Sequence, residues 1–148
     1  MTDLGLLHYF LGLQIWHMAD GIFLFQPKYA SYLLARFHMS DCKATPSPFQ
    51  SCVKLIVDCN TPLVDATLYC HLVGSLIYLT HSRCDISFAI SMVLRFMQKP
   101  HEIHWLATKR ILRYIQGTMH YGVFYSTKAN VSLLGYTDYD WADDSSDR

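Results

Sequence analysis

Leu68, Leu72, Val73, Leu76 and Leu79 recur at helical spacing after Asp65, and the positions between them are also largely apolar. A helix that is apolar nearly all round must be covered nearly all round, so this segment predicts the centre of a helical core. Asp65 suits its N-cap. Two more helices follow at short intervals. Asp85 is the expected cap of the next, with Phe88, Ala89, Met92, Val93, Phe96 and Met97 on one face. Pro100 breaks the chain and opens the third. There Ala107, Ile111, Tyr114 and Ile115 face inward, Lys109, Arg113 and Gln116 face outward, and Gly117 is the expected C-cap. Short links imply a small antiparallel bundle. Gly74 inside the first of these helices predicts close helix packing, because glycine there otherwise destabilises by roughly 1 kcal/mol relative to alanine.

Both ends of the chain change to period two. In residues 8 to 16, Leu11, Leu13 and Ile15 alternate with Phe10, Gln14 and Trp16, and Asp20-Gly21 marks a turn before a second run, residues 22 to 26. This predicts a β-hairpin. Gly12 within its first strand suits either a bulge or the close approach of another backbone. Pro27 then opens a helix whose Tyr29, Tyr32, Leu33 and Phe37 carry it to Met39. Residues 121 to 125 and 131 to 138 predict a second hairpin. The fold class is therefore α+β: an N-terminal β-hairpin with one helix, a small antiparallel helical bundle, and an incomplete C-terminal β-hairpin. Residues 40 to 64 hold three prolines and no lasting period, which predicts a long loop.

Charge divides along the chain. Twelve basic and twelve acidic residues cancel, but residues 138 to 148 hold five of the acids and one base, leaving a body of net +4. At 51% hydrophobic the chain is too apolar for disorder. Five cysteines without a C-x-x-C pair, and no signal peptide, predict reduced thiols and an intracellular protein. No apolar run approaches the ~20 residues of a membrane helix. Of eight histidines only His101 and His104 are closely spaced, and no cysteine pair accompanies them, which argues against zinc.

Several strings, taken in order, resemble the reverse transcriptase of copia-type retrotransposon Pol polyproteins. They are M-T-D-L-G-L-L-H-Y-F-L-G-L-Q-I (1 to 15), G-I-F-L-F-Q-P-K-Y-A (21 to 30), D-C-K-A-T-P (41 to 46) and L-V-G-S-L-I-Y-L-T (72 to 80). Further along come D-I-S-F-A-I (85 to 90), R-F-M-Q-K-P-H-E-I-H-W (95 to 105), K-R-I-L-R-Y-I-Q-G-T (109 to 118) and G-Y-T-D-Y-D-W-A (135 to 142). The resemblance divides the chain into a palm-edge hairpin and helix (1–39), a linker (40–64), a thumb-like helical bundle (65–118) and the start of an RNase H domain (119–148). Cys70, Cys84, Tyr139 and Asp143 depart from the family's usual residues, as drift in a decayed or truncated copy would produce.

The same resemblance supplies candidate sites. F-L-G resembles a primer-grip region, which puts Leu11 and Gly12 against nucleic acid. Lys109, Arg110 and Arg113 would contact phosphates; cations near a helix C-terminus also suit the helix dipole without any ligand. Asp138 would be a relic first metal ligand of RNase H. With Asp140, two residues on, it could share a divalent cation, but two carboxylates cannot supply a two-metal site, so the acidic tail reads as solvated charge. The parent family uses Mg2+ on carboxylates of a Y-V-D-D palm motif and on later RNase H residues; none of these is in the sequence, so no catalytic set is complete and no cofactor is expected to be retained. The expected partners are an RNA or DNA primer–template duplex and the remainder of the Pol polyprotein, with no membrane. The function expected is that of a reverse transcriptase fragment inactive by itself. The alternatives are a non-catalytic duplex-binding module and a structural remnant without activity.

Overall fold

The computed structural model describes residues 5–50, 55–56, 60–128 and 135. Strands β1 (Tyr9–Phe10), β2 (Leu13–Met18) and β3 (Gly21–Phe25) are followed by helices α1 (Pro27–Arg36) and α2 (Ala66–Leu79). A 3-10 turn (Cys84–Ile86) runs into α3 (Ser87–Leu94); α4 (Glu102–Gly117) and β4 (Gly122–Ser126) complete the described part.

The helical core is built as the apolar spacing requires. Tyr69, Leu72, Val73, Leu76 and Leu79 of α2 are fully buried among Ile86, Ala89, Ile90 and Val93 from the α3 side and Ile111, Leu112 and Ile115 of α4. The Asp65 carboxylate accepts the Thr67 N–H at 2.8 Å, the cap expected of it. Helix α1 is not a lone helix: Ala30, Leu33 and Leu34 make a stripe that joins the same core. It stops at Arg36 rather than Met39. His38 takes a positive φ of 54°, its N–H reaches Ala35 O and the Met39 N–H reaches Leu34 O, which is a Schellman closure with histidine in place of glycine.

Four local expectations change. Asp85 does not cap α3; it is drawn to the Arg83 guanidinium. Phe88 is 65% exposed, because α3 turns Ile86 and Ile90 inward instead. Gly74 faces open space, so helix contact is not its reason. Gly117 ends α4, yet it is a close-approach residue and not a left-handed cap: a Cβ there would lie 2.8 Å from that of Ala44.

The sheet departs most from expectation. All pairings are antiparallel, in the order β1-β2-β3-β4. Residues 8 to 16 are two strands and not one, with Leu11-Gly12 as the turn between Phe10 and its partner Leu13. Both turn residues have positive φ (46° and 80°), as a type I′ connection demands. Strand β4 pairs along the whole of β3, from Phe25↔Gly122 to Gly21↔Ser126, so the C-terminal strand extends the N-terminal hairpin. The partner strand expected at 131 to 138 lies outside the described residues, apart from Gly135.

Candidate nucleic-acid interface

Trp16, Phe23 and Phe124 share one face of the sheet through the registers Trp16↔Phe23 and Phe23↔Phe124. Trp16 meets Phe25 edge-on at 4.5 Å, and Trp16 itself is 55% exposed. The sheet connects to the helices at one end only. There Phe25 is buried and runs into α1, Tyr121 leads from α4 into β4, and the Leu11-Gly12 tip meets α2.

That tip is held by a side chain. The Tyr78 hydroxyl, late in α2, donates to the Leu11 carbonyl, and a Cβ on Gly12 would overlap that hydroxyl. The Tyr78 ring packs edge-on against Tyr29 of α1, centroids 4.8 Å apart, and against His81 at 5.6 Å. Tyr29 is itself tied back to α2 by a bond to the Ser75 carbonyl at 3.1 Å. Burial pushes the Tyr29 hydroxyl above its usual range, so it donates as a neutral phenol. The turn is thus a fixed feature with an exposed outer side, on which Leu11 stands clear of the protein. Gly12 combines the two roles open to it in the sequence: a turn conformation and a close approach, here by Tyr78.

The α4 cations lie elsewhere and have work within the fold. Arg110 Nη2 donates to Ser47 Oγ at 3.0 Å, and Arg113 Nε donates to the Lys43 carbonyl at 2.8 Å. Lys109 Nζ sits 5.4 Å from the Trp105 ring centroid. The two arginines bind the 43–47 segment to the helix, and Lys109 lies over a ring of its own helix. Lys109 is half-buried, and the partners of Arg110 and Arg113 on the 43–47 segment are a hydroxyl and a carbonyl, both neutral. Trp105 and Tyr114 pack on the core, as aromatics at helical spacing generally do.

Two polar clusters brace the ends of α4, and the sequence reading missed the first. Arg83 is 2% exposed and closes the C-terminus of α4: it donates to Thr118 O at 2.8 Å and Thr118 Oγ1 at 2.7 Å, and forks onto Asp85 at 2.9 and 2.8 Å. Its guanidinium carbon lies 5.5 Å from the ring centroids of both Tyr114 and Tyr121. Burial raises the Asp85 pKa; the Arg83 bonds and charge outweigh it and leave the carboxyl below its ordinary value. The sequence signal for this cluster was weak, an arginine two residues from an aspartate in a turn. The His101–His104 pair, noticed for its spacing, serves the start of α4. His104 Nδ1 accepts the His101 N–H at 3.0 Å, while its Nε2 reaches Ile56 O at 3.0 Å. His101 Nδ1 reaches Thr61 O at 2.7 Å.

Asp138 lies outside the described residues. Among the described residues no group of three or more His, Cys, Asp or Glu could hold a metal ion. Among the described residues no helix is long and apolar enough to cross a membrane.

No protein-family model and no solved structure matches the chain. Curated proteins do. Over 141 residues, 95% of this chain, it is 43% identical to the retrovirus-related Pol polyprotein from transposon RE1 of Arabidopsis thaliana and 40% identical to that from transposon RE2. It spans about a tenth (10%) of the length of each. It is also 38% identical, over its whole length, to an uncharacterized mitochondrial protein of Arabidopsis thaliana, of which it spans 61%. The chain is thus a fragment-sized homologue of copia-type retrotransposon Pol polyproteins.

Proposed function

We propose that this homologue of retrotransposon Pol polyproteins is the part of a reverse transcriptase that holds the primer–template duplex, joining a palm-edge hairpin to a thumb-like helical bundle. The observation that carries the reading is the Leu11-Gly12 turn: two left-handed residues, one without a side chain, held against α2 with their outer side open. A nucleic-acid backbone can approach the open outer side of such a turn, where Leu11 is exposed, while the missing β-carbon of Gly12 makes room for Tyr78 on the inner side. Lys109, Arg110 and Arg113 supply positive charge on a second surface, and in this reading the segment that the two arginines bind at residues 43–47 is positioned by them against the duplex phosphates. Residues 119–148 are the start of RNase H, with Asp138 as a relic metal ligand.

The proposed role is gripping and not chemistry. The Y-V-D-D carboxylates that would hold two metal ions are not in this sequence, so the chain by itself extends no primer. A labelled primer–template duplex titrated with the 148-residue chain at low salt tests the reading. Binding should weaken steeply as salt rises, and Lys109→Ala should reduce the log–log salt slope by up to about one unit. Lysine is the cleaner probe, because replacing either arginine also frees the 43–47 segment. Absence of duplex binding at low salt would leave a structural remnant; primer extension above a mock-purified control would overturn the inactive fragment.

A further inference from the structure

We infer that Tyr78 is the positioning residue of the Leu11-Gly12 turn, coupling the sheet to the helical bundle through one hydroxyl; the consequence for nucleic acid rests on the function proposed above. Three pieces of the sheet reach the helices, and two do so covalently: β3 continues into α1, and α4 continues through Tyr121 into β4. The tip has no such continuation. Strand β1 is two residues long and, among the described residues, pairs with β2 alone, at the edge of the sheet. Its attachment to α2 is the bond from the Tyr78 hydroxyl to the Leu11 carbonyl.

The surroundings of Tyr78 are arranged to aim that hydroxyl. Tyr29 and His81 confine the ring from α1 and from the end of α2. His81 Nδ1 is also 2.7 Å from the Tyr78 carbonyl. On the other side of the contact, Gly12 is required twice: its φ of 80° is left-handed, and any β-carbon would take the space of the hydroxyl. Removing only the hydroxyl leaves the ring carbon that bore it at 3.4 Å from such a β-carbon, which is ordinary contact. Gly12 and Tyr78 therefore act as one device, and a change at either should undo the same bond.

The test uses the full chain with Tyr78→Phe, Gly12→Ala and the double variant. Amide exchange over residues 8 to 15 reads the tip directly; the Ile15 N–H, bonded to His8 O at 2.9 Å, closes the small hairpin. Tyr78→Phe should speed exchange there roughly three- to tenfold, the factor set by one hydrogen bond, with little change at α3 and α4. Gly12→Ala should do the same in the parent and distinctly less in the Tyr78→Phe background. Unchanged tip exchange in Tyr78→Phe, or fully additive effects in the double variant, would overturn the inference. If Gly12→Ala does not fold, Tyr78→Phe alone decides. Duplex affinity is measured on the same samples and should fall with tip order. A loosened tip in a chain whose parent binds no duplex would support the positioning role and remove the proposed function.

Discussion

Lowering the pH from 7.5 to 5.5 should destabilise the helical core through His104. This imidazole is fully buried and stacks on Phe96 with ring centroids 3.8 Å apart. Its tautomer is fixed by its neighbours. The His101 N–H can only donate, so Nδ1 must accept, and the ring proton on Nε2 goes to the Ile56 carbonyl. A second proton on Nδ1 would point at an N–H donor in a site closed to water. Burial lowers the pKa, the Ile56 carbonyl opposes that, and His101 adds to it; the net is a value below the ordinary 6.5. The unfolded chain therefore takes up a proton near pH 6.5 that the native protein refuses. Stability from this group is complete above that pH and declines below it, until native His104 itself protonates. One proton is at most about 1.4 kcal/mol per pH unit, so the loss between 6.5 and 5.5 is bounded near that figure. Urea unfolding at pH 7.5, 6.5 and 5.5 measures it, for the parent and for His104→Gln. The glutamine can donate to Ile56 O but not also accept from His101, so at pH 7.5 it should cost about 1–2 kcal/mol. It does not titrate, so the difference between the two proteins should shrink on acidification. A difference that stays constant from pH 7.5 to 5.5 would refute the assignment.

Replacing His38 by glycine should stabilise the protein by about 0.5–1 kcal/mol, seen as a higher denaturant midpoint, because glycine occupies the left-handed closing position of α1 without a β-carbon penalty. Asp85→Asn should cost on the order of 1–3 kcal/mol by leaving the buried Arg83 guanidinium without its counter-charge. The parent should also lose stability as pH falls from the ordinary carboxyl value of 3.8 down through the depressed native pKa of Asp85, and the asparagine variant should lack that component in acid titrations followed by circular dichroism. The exposed aromatic face of the sheet should drive association: sedimentation should show concentration-dependent oligomers and hydrophobic dye should bind, both reduced in Trp16→Thr. A clean monomer at high concentration without dye binding would contradict that.

What the sequence by itself determined is the periodic part. The spacing of Leu72, Val73, Leu76 and Leu79 dictates a covered helix whatever surrounds it, since the alternative leaves leucines in water. Asp65 and Pro27 act within one turn of their own positions, so the starts of α2 and α1 were legible as local chemistry. The ordered strings that resemble Pol polyproteins were legible too, and the homology over 95% of the chain agrees with them. What only the tertiary structure decided depends on partners distant in sequence. Alternation marks 121 to 125 as a strand but cannot choose its neighbour, and β3, about a hundred residues earlier, supplied the free edge. Leu11-Gly12 reads as mid-strand by alternation; its role as a turn depends on a tyrosine 67 residues away. Asp85 looked like a cap because capping is local, and Arg83 claimed it because a buried guanidinium needs an anion more than a short helix needs a cap. His101 and His104 carried the spacing of a ligand pair, but Thr61 and Ile56 gave each ring a carbonyl, and His104, which accepts at Nδ1 and donates at Nε2, is a structural element.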